Sequence, residues 1–175
     1  ENGLPEYLKK QALPENIKDT KKEKVAVVGS GPAGLSTAYF LAKKGYAVTV
    51  FEATAAAGGM MVNGVPEHRL PRKVIKWEID ALKKMGVTIK TNSAVGNPED
   101  LKKQGYAAVF VAVGAQNSAK LNVKGEDASG VLQALSFLKD VNSGKKVAVG
   151  KKVVVIGGGN VAMDCARTAL RLGGD

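Results

Sequence analysis

The chain switches between two hydrophobic patterns. Apolar runs, rich in β-branched residues, occupy 24–28 and 152–156, each led by a lysine, and 106–114, while 46–51 is a further strand with Thr49 within it. Runs of that length without polar interruption predict strands buried on both faces. Between them, apolar residues recur at helical spacing: Leu35, Ala38, Tyr39 and Ala42; then Val74, Ile75, Ile79, Leu82 and Met85; then Leu132, Leu135 and Leu138. These predict helices over 35–44, 71–85 and 131–141, with another over 163–172. Glycine stands at their ends, as Gly45, Gly86, Gly144 and Gly173, where a left-handed residue stops a helix. Trp77 packs the helix over 71–85. A strand over 87–90, a short helix over 99–104 and a short strand at 121–123, within a crossover loop, complete the pattern. Strands alternating with helices predict an α/β fold with a parallel sheet.

Composition narrows the class. An apolar fraction of 45% is ordinary for a globular protein, and no apolar run is long enough to span a membrane. Glu1 is not an initiator and no basic-then-apolar leader follows it, so a processed chain, or one cut from something longer, is expected. The one cysteine, Cys165, excludes an internal disulfide, a Cys-x-x-Cys pair and a four-cysteine cluster, and suits the cytoplasm. Lys+Arg number 26 against 16 Asp+Glu. Most are lysine pairs at helix ends or before strands, without the clustered arginine and interleaved aromatics of nucleic-acid binders. A solvated basic surface, or one that attracts an acidic redox partner or anionic substrate, fits better.

The candidate chemistry lies in 24–52. Gly29-Ser30-Gly31-Pro32-Ala33-Gly34 fits G-x-G-x-x-G. The first glycine permits a tight turn, the second lets a pyrophosphate approach the backbone, and the third lets helix and strand pack closely. Glu52 follows the second strand, where a carboxylate accepts hydrogen bonds from a ribose diol. A glycine turn alone is weak evidence. Strand, turn, helix, strand and acid in this order point to dinucleotide binding.

After Glu52, Ala53 opens a stretch of small residues that leads to Gly58, Gly59 and Met60, with amides free to face a ligand. Arg69 stands between Pro66 and Pro71, presented either to a phosphate or flavin carbonyl or simply to solvent. His68, the only histidine, is more readily a surface group than a base or ligand. Gly114, at a strand's C-terminal end, suits close approach to a cofactor. Residues 1–23 carry no such signature: 2–13 can form a short helix and 14–24 a linker, the whole an arm packed on a neighbouring domain.

The motif then repeats. Lys152 to Ala162 overlays Lys24 to Gly34 at a constant offset of 128, with Gly157, Gly159 and Ala162 in the three glycine positions. The fingerprint allows that alanine. Two dinucleotide openings fit an architecture in which a nicotinamide-binding unit is inserted into a flavin-binding one. The expected organisation is an arm over 1–23, an FAD-binding Rossmann-like domain over 24–144, and the opening strand and helix of an NAD(P)H-binding unit over 145–175.

The stretches GSGPAGLSTAYFLAKKGYAVTVFEA, GGMMVNGVPEHRLP, AVFVAVGA and KKVVVIGGGNVAMDCARTALRLG resemble the flavin subunit of the NADPH-dependent glutamate synthase family. That family includes the flavin domain of dihydropyrimidine dehydrogenase and the large subunit of bifurcating ferredoxin:NADP oxidoreductase. Adrenodoxin reductase looks like a more distant relative. The resemblance covers 24–173. It implies that Gly29, Gly31, Pro32, Ala33 and Gly34 form the FAD pyrophosphate turn and that Glu52 binds ribose. It also implies that Ala53, Gly58, Gly59 and Met60 lie beside the flavin, that Arg69 contacts FAD, that Val95 lies near the adenine, and that Gly114 is the strand-end glycine. Gly157, Gly159, Asn160, Val161, Ala162 and Asp164 would form the NAD or NADP turn.

The implied activity is electron relay between NAD(P)H and, through FAD, iron–sulfur clusters of a partner subunit or domain, with no side chain as nucleophile. The family carries an N-terminal cysteine-rich iron–sulfur segment, whereas residues 1–23 hold no cysteine. The family's 2′-phosphate arginines and its C-terminal FAD segment fall beyond residue 175. The alternative reading is a non-catalytic FAD- or adenine-dinucleotide-binding or assembly module, prone to self-association through the edge of the 153–156 strand.

Overall fold

The computed structural model describes residues 21–175. The helix expected within 2–13 and most of the linker lie outside the described residues. Two compact units form. The first comprises residues up to Met61 together with Leu70–Gly114, and the second comprises Val62–Arg69 with Ala115–Asp175.

The first unit is a parallel sheet of β1 (Lys24–Val28), β2 (Ala47–Phe51), β3 (Thr88–Lys90) and β4 (Tyr106–Val111), in the order β3-β2-β1-β4. β1 pairs with β2 from Lys24 opposite Ala47 to Val28 opposite Phe51, and with β4 up to Val28 opposite Val111. Alternate residues of β1 feed opposite cores, as the two-residue period requires. Val27 joins Val48 and Val50 beneath α1 (Pro32–Lys43) and α3 (Arg72–Lys84), in a cluster with Leu35, Ala38, Leu82 and Met85. Ala26 and Val28 pack the other face with Phe51 and Leu101, the latter from α4 (Glu99–Lys103). Val27 and Val50 are fully buried, each side chain contributing roughly 1.5–3 kcal/mol. A single turn, α2 (Met60–Asn63), follows the loop after Glu52.

β4 departs from its expected burial. It ends at Val111, and Phe110 and Val111 are exposed. An apolar run does not by itself bury a strand. β4 lies at the edge of the sheet, and a strand's faces are buried only where other elements pack over them.

The second unit has its own core. α5 (Ala134–Asn142) and α6 (Asn160–Arg171) bring together Phe137, Leu138, Cys165 and Ala169, flanked by Val147, Val149, Val153 and Val155. The boundary expected from the sequence is at 144; in compactness, α5 and the crossover group with the second motif. Residues 62–69, far earlier in sequence, belong there too. Asn142 Nδ2 donates to the carbonyls of Asn63 and Val65, at 2.9 and 3.3 Å.

Two expected strands are absent. Residues 121–123 are irregular because the Leu121 and Asn122 amides donate to the Glu126 carboxylate rather than to a neighbouring strand. The run 152–156 is extended but forms no ladder, with Val154 and Ile156 exposed. Its one pairing is at its start, where the Asp175 amide donates to Lys151 O and the Val153 amide donates to Asp175 O. That is a parallel bridge between Lys152 and Asp175. The offset of 128 carries Lys24 to Lys152 and its partner Ala47 to Asp175. This one bridge of the second motif thus joins the residues that correspond to the paired Lys24 and Ala47 of the first.

Candidate dinucleotide-binding sites

β1 delivers the chain into a turn at Gly29, whose φ is +104°. A Cβ there would lie 2.3 Å from Ala112 O. Gly34 is held more tightly, since a Cβ on it would lie 2.0 Å from Gly29 O. Only glycine lets α1 start this close to the strand. Gly31, between them, faces open space. It is the N-cap of α1, with extended backbone, no side-chain cap and no acid in the first turn, and Pro32 begins the helix. Such a terminus offers its amides and its dipole to an anion. The loop after β2 closes over the turn: a Cβ on Gly59 would lie 2.7 Å from Gly31 Cα. Gly29, Gly31, Gly34, Gly58 and Gly59 are thereby brought together.

Glu52 is buried at the end of β2, with both carboxylate oxygens occupied. Oε2 accepts from the Ser30 amide at 3.1 Å and from the Ser30 hydroxyl at 2.5 Å. Oε1 accepts from the Thr54 amide and hydroxyl, both at 2.8 Å. Burial pushes its pKa up, but the Ser30 and Thr54 donors together outweigh that and hold the carboxyl below its usual value. The Gly58 amide donates to Ser30 Oγ at 3.0 Å, tying the loop to the same carboxylate. Ser30 and Thr54 were missed by motif reading. Their signal was two hydroxyl residues, one in a variable motif position and one two residues past the acid.

The remaining first-unit residues are less tightly held. Pro32 and Ala33 lie exposed in the first turn of α1, Ala53 is exposed, and Met60 is half-buried. Val95 packs on the cluster of Ala26, Val28, Phe51 and Leu101. Gly114 is exposed with φ +68°.

The second turn repeats the first in backbone detail. Gly157 has φ +124°, and Gly159 is an extended N-cap without a side-chain cap. Asn160 and Val161 begin α6, exposed, and Ala162 replaces the third glycine. At the far end the Gly174 amide donates to Ala169 O, as Tyr46 donates to Leu41 O at the end of α1.

Asp164, on the next turn of α6, is buried and accepts both bonds from Arg69 Nη1, at 2.9 and 2.8 Å. Arg69, expected beside the flavin, is held here within the second unit. His68 is exposed, and its pKa is lowered by partial desolvation and then by Arg171 and Arg167. That is consistent with a surface group. Cys165 is buried, its thiol pushed up by desolvation and by Asp164. Among the described residues no cluster of metal-ligating side chains occurs and no helix is long and apolar enough to cross a membrane.

Comparison with known proteins agrees with this geometry. The profile for "Pyridine nucleotide-disulphide oxidoreductase" matches residues 23–175. The chain is 50% identical over 159 residues to the beta subunit of the NADP(+)-dependent formate dehydrogenase of Moorella thermoacetica, covering 88% of this chain and 22% of that subunit. It is 40% identical over 162 residues to the glutamate synthase [NADPH] small chain of Bacillus subtilis, covering 85% of this chain and 33% of the relative. Among solved structures, Mycobacterium tuberculosis FprA in complex with NADPH superposes with a TM-score of 0.75 at 32% identity, over 86% of this chain and 37% of FprA. The chain therefore spans about a fifth to a third of these relatives. With its parallel sheet and doubled glycine turn, it belongs to the pyridine nucleotide-disulphide oxidoreductase family.

Proposed function

We propose that the first unit binds FAD and that the second opens a site for NADPH or NADH. The protein then works as an oxidoreductase that passes electrons from the nicotinamide, through flavin, to iron–sulfur groups of a partner subunit or domain. The observation that carries this is the doubled turn: two glycine N-caps, two open helix starts and one equivalent backbone bridge, repeated at an offset of 128. The names of the relatives, an NADP(+)-dependent dehydrogenase subunit and an NADPH-dependent synthase chain, support it.

The residues present fit these cofactors. Gly31 leaves space that a Cβ would fill, and the uncapped start of α1 suits a pyrophosphate. Glu52, ionised and fixed, suits the adenosine ribose. Gly59 holds its loop against Gly31 and leaves no room for a side chain there. Ala53 and Met60 follow β2, Val95 follows β3 and Gly114 follows β4 in the chain, and the C-terminal ends of strands are where ligands of open α/β folds bind. Flavin, when bound, supplies the exchange between hydride and single-electron chemistry. The protein's part is to bind, orient and shield.

A second reading has a specific observation behind it. The 152–156 run is paired only at Lys152, so the chain by itself has one built nucleotide unit and the opening of another. On that reading it is an FAD- or ADP-binding module without hydride transfer. An absorbance spectrum before and after adding FAD, then NADH and NADPH, separates the two. Flavin bands that bleach on adding a nicotinamide support the oxidoreductase. Bands that persist support the binding module, and a chain that takes up neither FAD nor ADP overturns both.

A further inference from the structure

Protein donors alone fill the Glu52 carboxylate. A carboxylate offers about four lone-pair sites, and the amides and hydroxyls of Ser30 and Thr54 supply four donors. A ribose hydroxyl that donates to Glu52 must replace one of them. Amide donors are fixed by the backbone. Ser30 is 1% exposed, and its hydroxyl accepts from the Gly58 amide and has Glu52 Oε2 as the acceptor for its single proton. Displacing it would strand a buried donor, which is costly. The Thr54 hydroxyl differs. It has one proton and two acceptors in reach, Glu52 Oε1 at 2.8 Å and Ala56 O at 2.9 Å. It is also only half-buried.

We propose that Thr54 is a positioning residue for nucleotide capture: its hydroxyl occupies Glu52 Oε1 while the site is empty and yields it to a ribose hydroxyl by turning its proton to Ala56 O. No bond is left unmade in either state. Glu52 never stands as a buried, half-satisfied carboxylate, and the site accepts the ribose without stranding a donor. The proposal rests on the reading of the first unit as a nucleotide site.

The test is calorimetric titration of the full chain with ADP, 2′-deoxy-ADP and 3′-deoxy-ADP, for the wild type and for Thr54→Val and Thr54→Ser. In the wild type, Thr54 refills Oε1 when a deoxy nucleotide cannot, so the loss of affinity for the missing hydroxyl is small. Without the threonine hydroxyl that compensation is gone. The penalty for the hydroxyl that faces Glu52 should rise about tenfold in Thr54→Val, and Thr54→Ser should behave like the wild type. Equal penalties in wild type and Thr54→Val, or a serine variant that behaves like valine, overturn the proposal while leaving the nucleotide site intact. A wild-type chain that binds no ADP overturns the site and the proposal together. Should Thr54→Val fail to fold, Thr54→Ala carries the same expected rise.

Discussion

Arg69 Nη1 donates to both carboxylate oxygens of Asp164, an acid buried on α6, while the arginine side chain remains 40% exposed. The two ends of this pair are unequal. Removing Arg69 leaves a buried carboxylate without its cation, whereas removing Asp164 returns a partly solvated guanidinium to water. Arg69→Ala should cost about 2–3 kcal/mol, and Asp164→Ala about 1 kcal/mol, of the second unit's stability. Urea unfolding followed by hydrogen exchange in α6 measures both. Equal losses would show that the pair is not organised by the burial of Asp164.

The glycine turn makes a sharper distinction. Gly31 faces open space at φ −69°, and Gly34 has a carbonyl 2.0 Å from where its Cβ would be. Gly31→Ala should leave stability within about 1 kcal/mol of wild type while weakening FAD binding at least tenfold, the equivalent of roughly 1.4 kcal/mol. Gly34→Ala should cost about 3 kcal/mol through overpacking of backbone on backbone. Paired thermal melts and FAD titrations read out both. A Gly31→Ala chain that binds FAD normally would remove the turn from the cofactor site.

Glu52 sets the expected response to acid. Its folded pKa lies below the ordinary value of 4.5 because the Ser30 and Thr54 donors outweigh burial. The unfolded chain therefore takes up the proton first. The stability contributed by Glu52 is complete above the unfolded pKa and is lost as pH falls through the folded one. Glu52→Gln should destabilise the chain by about 1–3 kcal/mol at neutral pH, and the gap from wild type should narrow as pH falls below 4.5. A gap that is constant with pH would contradict the assignment.

The 152–156 run exposes Val154 at 87% and Ile156 at 75%, with backbone groups that no ladder occupies. Unpaired extended edges invite pairing with another chain. Sedimentation velocity should show self-association that grows with concentration and weakens in a Val154→Lys, Ile156→Lys double variant. A monomer at every concentration would reject this.

Much of the first unit was legible because its determinants are local. β1, the glycine turn and α1 follow one another in sequence, and the hydrophobic period, the glycines and the terminal acid each mark their own place. The 128-residue repeat was legible for the same reason, and it carried over into one equivalent backbone bridge, Lys24 with Ala47 and Lys152 with Asp175. Burial of a strand is not local. Tyr106–Val111 and the 152–156 run share one apolar pattern with β1, yet only β1 has neighbours on both sides, and only tertiary structure supplies those. Nor can a sequence motif show which donor satisfies which acceptor. Arg69 and Asp164 stand 95 residues apart, and Ser30 and Glu52 stand 22 apart. The sequence determined that this chain carries two glycine turns of one pattern, 128 residues apart. The fold decided which side chains fill the Glu52 carboxylate and where Arg69 is held, because hydrogen-bond partners are chosen by distance in space.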